Sequence, residues 1–219
     1  MSSASRVIAV IPAFNEARTI AAVVAGVRAR VADVIVVDDH SMDATGEEAK
    51  RAGAIVLRNA ANLGYDGSLN AGFAEAARRG AGIVLTFDAD GEHDPADVPR
   101  LIAPIAEDRA DIVVGQRPRL AGPAEKIFAF YTRLRYGIAD PLCGLKAYRR
   151  SVYDAVGQFD TVQSIGTELM IKGLHRKFRL ALVPIALHRR ADDSSRFYAR
   201  RLRANLKILR AAWRLSFVR

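Results

Sequence analysis

Short apolar runs rich in Val and Ile alternate with segments of helical character along most of the chain. This alternation is typical of an α/β domain whose mainly parallel sheet is covered by helices on both faces. Half of the 219 residues are apolar, which is enough for one domain with a large core. We predict five strands: Val7–Ile11, Asp33–Val37, Ala54–Arg58, Gly82–Asp88 and Asp111–Gly115. We predict four helices between them: Glu16–Arg30, Ala44–Ala52, Gly67–Arg79 and Pro95–Glu107.

Three polar turns follow predicted strands, at the carboxyl ends where α/β sheets bind ligands. They are Pro12–Glu16 after the first strand, Asp38–Asp43 after the second and Asp88–His93 after the fourth. Asp and Asn also end strands and begin helices for purely structural reasons, so any single turn is ambiguous. Because all three would lie on one edge of one sheet, together they predict a polar binding cavity.

The sequence Asp88-Ala89-Asp90 places two carboxylates after an apolar run, and Glu92 adds a third. Mg²⁺ and Mn²⁺ prefer oxygen ligands and commonly share them with substrate phosphates. A metal held there would neutralise the charge that builds on a nucleoside diphosphate as it leaves a sugar carbon. We therefore predict a divalent metal site at Asp88, Asp90 and Glu92, the alternative being a solvated acidic turn.

The three turns resemble, in order and spacing, the signatures of family 2 glycosyltransferases of GT-A fold, above all the polyprenyl-phosphate sugar transferases such as dolichol-phosphate mannosyltransferases. The resemblance extends from about Val7 to Ile185. It implies an inverting transfer from a nucleotide-diphosphate sugar to a polyprenyl phosphate or a glycan, in the synthesis of cell-envelope polysaccharide or glycolipid. The family's substrate-binding positions fall on Pro12, Ala13, Asn15 and Glu16 along the nucleoside, Asp39 at the base edge, and Asp88 and Ala89 near the ribose and diphosphate.

Two positions depart from the family pattern. Glu92 stands where relatives often carry a glutamine that reaches the metal, and Asp66 stands where many relatives have lysine. The sequence assigns no role to Asp66.

On the acceptor side, Arg117 lies where family members that act on lipid phosphates tend to place arginine. The resemblance implies that it holds a phosphate of the acceptor or donor, which suits a guanidinium fork; the alternative is a solvated loop charge. Asp140 and Glu168 match acidic positions of the family, and both are candidates for the base that a sugar hydroxyl needs and a phosphate does not. Each is equally well explained as a turn or cap residue. We expect Cys143 to be a packing residue.

The segment from Arg189 to Arg219 carries ten Lys or Arg and two Asp, so it holds +8 of the net charge of +9. We divide the chain into a catalytic domain, residues 1–190, and a basic amphipathic helix within residues 191–219. This helix is typical of segments that lie on anionic membrane surfaces, and docking on its own domain or on a twin subunit is an equal alternative. No nucleic-acid module accompanies the charge, so we predict no nucleic-acid partner.

Two alternative functions remain beside the transferase. A sugar nucleotidyltransferase would carry a Gly-rich basic loop where this chain has Pro12–Glu16, and a non-catalytic nucleotide-sugar binding protein would lack turnover. A dinucleotide-dependent oxidoreductase is excluded because Gly-x-Gly-x-x-Gly is absent after the first strand.

The single cysteine and the polar start predict a cytosolic protein, held at most peripherally on the inner face of the membrane.

Overall fold

The computed structural model describes residues 5–120, 122–188 and 201–215. Within them the strands are β1 Val7–Ala13, β2 Asp33–Asp38, β3 Ile55–Arg58, β4 Ile83–Thr86, β5 Ile112–Gln116, β6 Lys146–Arg149 and β7 Leu180–Pro184. The helices are α1 Ile20–Arg28, α2 Thr45–Arg51, α3 Gly64–Arg78, α4 Val98–Ala106, α5 Pro123–Tyr136, α6 Arg150–Val156, α7 Glu168–His175 and α8 Arg201–Leu215. A 3₁₀ turn at Pro95–Asp97 leads into α4, and the Asp94 side chain caps it by accepting from the N–H of Ala96 at 2.8 Å.

The seven described strands form one sheet in the order β3-β2-β1-β4-β6-β5-β7. The sheet is mainly parallel, which confirms the predicted class, but β6 runs antiparallel to both of its neighbours, β4 and β5. The carboxyl ends of β1, β2 and β4 therefore meet at one edge of the sheet, as the predicted cavity requires.

Alternate residues of the central strands pack against opposite layers of helices. In β1, Ile11 belongs to the cluster under α1, α2 and α4, whereas Val10 belongs to the cluster under α3 and α5 to α8. Both faces of the sheet are thus buried, which explains why the strands are continuous apolar runs. On the second face α3 lies so close to β1 that a Cβ at Gly72 would overlap the side chain of Val10.

Helix boundaries differ from the predicted ones where the turns make tertiary contacts. The first helix begins at Ile20 rather than Glu16. The N–H of Glu16 donates to the Thr45 hydroxyl at 2.8 Å, and residues 17–19 form a turn before the helix. The third helix begins three residues early, at Gly64, because the Asp39 carboxylate accepts from the N–H groups of Leu63 and Gly64. The fourth strand ends at Thr86, so Asp88 lies in the loop beyond it.

The C-terminal helix docks on the domain through Ile208 and Ala211, which are buried against the α5 side of the core, and α5 and α8 are in contact. Arg214 donates to the carbonyl of Val162 at 2.8 Å. The predicted domain boundary at residue 190 lies outside the described residues. None of the described helices combines the length and the apolar character that crossing a bilayer requires.

Candidate active site

The three polar turns line one cavity of about 450 Å³ at the carboxyl edge of the sheet. We call it the Asp88 cavity, and its lining residues are Pro12, Ala13, Phe14, Glu16, Asp39, Asn62, Gly64, Tyr65, Ser68, Asp88, Ala89 and Asp90. The predicted gathering of the turns into one cavity is thus observed, and the amino-terminal end of α3 forms a further wall of it.

The first turn is fastened to the second through Asn15. Its backbone N–H donates to the Ser41 hydroxyl at 2.9 Å, and its side-chain oxygen accepts from the N–H of Met42 at 2.7 Å. Asn15 has a φ of 53°, in the left-handed region that Asn tolerates better than most residues. Unlike Pro12, Ala13 and Glu16, it is not among the lining residues, so the geometry supports a role in shaping the turn.

Asp39 is buried at the floor of the cavity, and its carboxylate already accepts three hydrogen bonds. The donors are the side-chain amide of Asn59 and the backbone N–H groups of Leu63 and Gly64, each at 2.8 Å. A carboxylate has roughly four acceptor positions, so about one remains for a ligand. Asp39 therefore anchors the start of α3 as well as facing the cavity.

The Asp88 carboxylate is held between two side chains. The Tyr65 hydroxyl donates to its Oδ1 at 3.3 Å, and Nε2 of His93 lies 3.2 Å from its Oδ2. Burial raises the pKa of Asp88, but the hydrogen bond and charge of His93 and the nearby cations outweigh it, so the pKa is lowered. Asp88 is accordingly ionised at neutral pH.

Gly144 provides the surface on which this carboxylate rests. A Cβ at this position would overlap all three atoms of the Asp88 carboxylate group. The loop before β6 thus packs directly against the Asp88 carboxylate, a role that the sequence does not reveal.

The three predicted metal ligands are not gathered around one point. Asp90 Oδ1 accepts from the N–H of Glu92 at 3.0 Å, while the Glu92 carbonyl accepts from the N–H of His188. The described residues contain no group of three His, Cys, Asp or Glu side chains arranged to hold a metal. Asp88 and Asp90 line the cavity together and Glu92 does not. Two carboxylates fit a hard divalent ion that takes its other ligands from phosphates and water.

Lys146 is a buried cation beside this site that the sequence analysis overlooked. Its ammonium donates to the carbonyl of Gly166 at 3.1 Å, and burial lowers its pKa although the Cys143 thiol, Asp140 and Asp88 act against this. Lys146 is the first residue of the four-residue strand β6, which ends in a second cation, Arg149, and was not among the predicted strands, so the sequence pattern held no clear signal of a buried lysine here. Burial also raises the pKa of Cys143 to about 12, so its thiol is protonated and packs, as expected.

A second cavity of about 390 Å³, which we call the Arg117 cavity, is lined by Gln116, Arg117, Pro118, Leu120, Lys126, Ala129, Phe130, Arg133, Ala139 and Asp140. Arg117 donates to both oxygens of Asp140, from Nε at 2.7 Å and from Nη2 at 2.8 Å, and its Nη2 lies 3.4 Å from Glu125 Oε2. The ion pair raises the pKa of Arg117 despite the opposing effect of burial. The structure therefore joins two predicted site residues, Arg117 and Asp140, to each other.

Glu168 is fully buried and organises the loop before α7. Its carboxylate accepts from the Thr161 hydroxyl at 2.6 Å and the N–H of Val162 at 3.1 Å, and it pairs with Lys172. It does not line the Asp88 cavity. This geometry favours the capping explanation over the predicted role as a base.

Asp66, which had no predicted role, fastens the same loop to α3. It accepts from the N–H of Gly166 at 2.6 Å and of Ile165 at 3.3 Å. Ile165 has a φ of 57°, which is rare for a β-branched residue, so the loop needs such fixed partners.

The sequence profile of the family described as Glycosyl transferase family 2 matches residues 8–157, which include all three turns and Asp140. The chain belongs to glycosyl transferase family 2. This glycosyltransferase is 31% identical to the undecaprenyl-phosphate mannosyltransferase of Micrococcus luteus, over 80% of this chain and 79% of that protein. It is 30% identical to the UDP-N-acetylglucosamine–dolichyl-phosphate N-acetylglucosaminyltransferase of Methanococcus voltae, over 80% of this chain and 83% of that protein.

Among solved structures, this glycosyltransferase resembles glucosyl-3-phosphoglycerate synthase from Mycobacterium tuberculosis in complex with Mn²⁺ and UDP-glucose. The TM-score is 0.72 at 22% identity, with 94% of this chain and 79% of that chain covered. The likeness confirms the predicted GT-A fold. Membership of the family also sets aside the sugar nucleotidyltransferase alternative.

Proposed function

We propose that this glycosyltransferase moves a sugar, with inversion, from a nucleotide-diphosphate sugar in the Asp88 cavity to a polyprenyl phosphate in the Arg117 cavity. The observation that carries the proposal is that three polar turns from separate strands line one cavity around Asp88 and Asp90. The place of this reaction would be the synthesis of cell-envelope polysaccharide or glycolipid. A glycan is the alternative acceptor.

The walls of the Asp88 cavity suit a nucleotide. Pro12, Ala13 and Phe14 offer apolar surface for a base and ribose, while Asp39 and Glu16 offer hydrogen-bond acceptors. Two relatives of nearly equal identity are named for mannose and for N-acetylglucosamine.

A divalent Mg²⁺ or Mn²⁺ ion is part of the proposal, with Asp88 and Asp90 as its protein ligands and Glu92 as a further candidate. When bound, such an ion would neutralise the charge on the leaving diphosphate. The solved neighbour in complex with Mn²⁺ and UDP-glucose supports this. The chain's own contribution is to keep Asp88 ionised and fixed, through Tyr65 and His93.

The cations of the Arg117 cavity favour a phosphate acceptor over a sugar hydroxyl. Arg117, Lys126 and Arg133 line it together, and relatives named for undecaprenyl phosphate and dolichyl phosphate support this choice. Both oxygens of Asp140 are engaged by Arg117, and Glu168 lies in a separate loop cluster. Neither candidate base is available, and an ionised phosphate needs none.

The test is nucleotide release from a panel of nucleotide sugars, with and without a polyprenyl phosphate, in Mg²⁺, in Mn²⁺ and with a chelator. We expect turnover with at least one donor that requires both the ion and the lipid phosphate. Asp90→Asn should lower kcat/KM by roughly 100-fold, because it removes a ligand charge where the diphosphate leaves. Asp94→Asn is the matched control, since Asn caps a helix as well as Asp does.

Full metal-dependent activity in Asp90→Asn would contradict the metal assignment. If turnover does not depend on the polyprenyl phosphate and requires a glycan, the acceptor is a glycan. If no donor and acceptor pair gives turnover, the non-catalytic nucleotide-sugar binding protein becomes the better explanation.

A further inference from the structure

Two adjacent helices expose large apolar side chains that a domain of this size would ordinarily bury. On α5, Phe130 is 71% exposed and Leu134 is 81% exposed, and on α8, Trp213 is 66% exposed. Ile127 on α5, together with Leu206 and Leu209 on α8, extends the set. We call these six residues the α5–α8 face. An apolar patch of this kind marks an interaction site.

The spacing of these residues makes each helix two-sided. Residues 127, 130 and 134, and residues 206, 209 and 213, lie on one side of their helices at the i, i+3, i+7 spacing. On α8 the docking residues Ile208 and Ala211 lie on the opposite side. Docking of α8 on its own domain therefore uses the side with the smaller apolar residues and leaves Leu206, Leu209 and Trp213 between 40% and 66% exposed.

Positive charge flanks the α5–α8 face. Lys126 and Arg133 on α5, and Arg210 on α8, are exposed beside the apolar residues. The sequence of α8 contains no Asp or Glu, and the single acid of α5, Glu125, is buried beside Arg117. Among the described residues of these two helices, the face thus combines apolar side chains with cations that no exposed acid of α5 or α8 offsets.

This combination selects the partner. In a symmetric pair of chains the same surface meets itself, so the cations of one copy would meet those of the other, and α5 and α8 present no exposed acid to offset them. An anionic lipid surface offers both an apolar layer and negative charge, and aromatic residues such as Trp213 settle where the two meet. Phe130 belongs to the α5–α8 face and also lines the Arg117 cavity, so the two are continuous.

We propose that the α5–α8 face docks this glycosyltransferase on an anionic bilayer, with the Arg117 cavity opening at the lipid surface. The proposal deepens the proposed function, because a polyprenyl phosphate then enters the cavity along Phe130 without leaving the membrane. It assigns the contact to both helices together, with α5 contributing as much as the basic C-terminal helix.

Vesicle flotation tests this with the full chain, on phosphatidylcholine alone and on phosphatidylcholine mixed with phosphatidylglycerol. We expect binding to the mixed vesicles that weakens in high salt. The double variant Ile127→Ser/Leu134→Ser should bind at least roughly ten-fold more weakly, because burial of one such side chain alone already contributes about that much to the affinity. Arg210→Glu should weaken binding by more than about five-fold, on the mixed vesicles only. Met42→Ser changes an apolar residue that is 86% exposed but lies in the turn after β2, outside the α5–α8 face, and this variant should bind like the wild type.

Equal binding by Ile127→Ser/Leu134→Ser and the wild type, or no binding by either, would overturn the proposal. So would a dimer in sedimentation equilibrium that the double variant separates, because the face would then be a subunit contact. Vesicle binding is measured without donor and without turnover. A protein that does not bind vesicles would therefore contradict the docking proposal and leave the transferase proposal intact. A protein that binds vesicles but shows no turnover would do the reverse.

Discussion

At the scale of single residues, the site depends on how the Asp88 carboxylate is held. Tyr65, His93 and the backbone at Gly144 surround it, and none of the three is a predicted metal ligand. If Asp88 binds an ion or a diphosphate as proposed, a carboxylate fixed in this way loses little conformational freedom on binding, so the residues that hold it matter nearly as much as Asp88 itself.

Gly144→Ala tests this support. Gly144 does not have a positive φ, so the backbone accepts alanine, but the new Cβ must displace the Asp88 carboxylate. We expect kcat/KM for the donor to fall by about 100-fold, the effect of misplacing a catalytic group by roughly 1 Å, with the melting temperature little changed. Gly122→Ala, whose new Cβ would make only an ordinary contact with Asn205 Oδ1 at 3.7 Å, is the control. Unchanged activity in Gly144→Ala would mean that Asp88 need not stay where it lies.

At the scale of elements, α5 serves two surfaces at once. Its buried side packs through Phe128 into the core, Lys126 and Arg133 line the Arg117 cavity, and Ile127 and Leu134 point away from the domain. One helix can do this because residues three and four apart share a side while their neighbours face elsewhere.

Arg133→Gln tests the part of α5 that lines the cavity. Removing one cation from the proposed acceptor site should raise KM for a short-chain, water-soluble polyprenyl phosphate about ten-fold and leave donor KM unchanged. Arg135→Gln, two residues on and outside the cavity, removes the same charge from the same helix and should have no such effect. Equal KM values in the two variants would remove Arg133 from the acceptor site.

At the scale of the whole molecule, a single carboxylate joins the last three strands of the sheet. Asp111, directly before β5, accepts from the Arg149 side chain at the end of β6 and from the side chain and N–H of Arg179 before β7. These hydrogen bonds, Arg179 first, outweigh burial and lower the pKa of Asp111 to about 2. They hold the antiparallel strand β6 in its place between parallel neighbours.

Because the folded-state pKa of Asp111 lies below the unfolded value, its contribution is present in full above about pH 4 and is lost as the pH falls towards 2. Allowing for screening around the exposed Arg179, we expect Asp111→Asn to lower the free energy of unfolding by about 1 to 2 kcal/mol at pH 7. In urea denaturation the difference from the wild type should vanish near pH 2. Asp154→Asn, which breaks only an exposed pair with Arg150, should cost almost nothing at either pH. A difference that persists at pH 2 would show that Asp111 acts through packing.

The sequence by itself determined the fold class, the positions of the first five strands along the chain and the three turns that line the Asp88 cavity. Each follows from local pattern: apolar runs buried on both faces become parallel strands, and polar residues just after them must gather at one edge. The family membership follows from the same three turns.

Only the tertiary structure decided what each polar side chain faces. Arg117 and Asp140 are 23 residues apart and pair with each other, Asp66 reaches a loop 100 residues away, and Gly144 lies under Asp88. Such contacts are absent from any local pattern because they join residues that are far apart in the sequence and that only the packed fold brings together. The outward apolar side of α8 has the same origin: periodicity shows that a helix has an apolar side, and only packing shows which side is left for a partner.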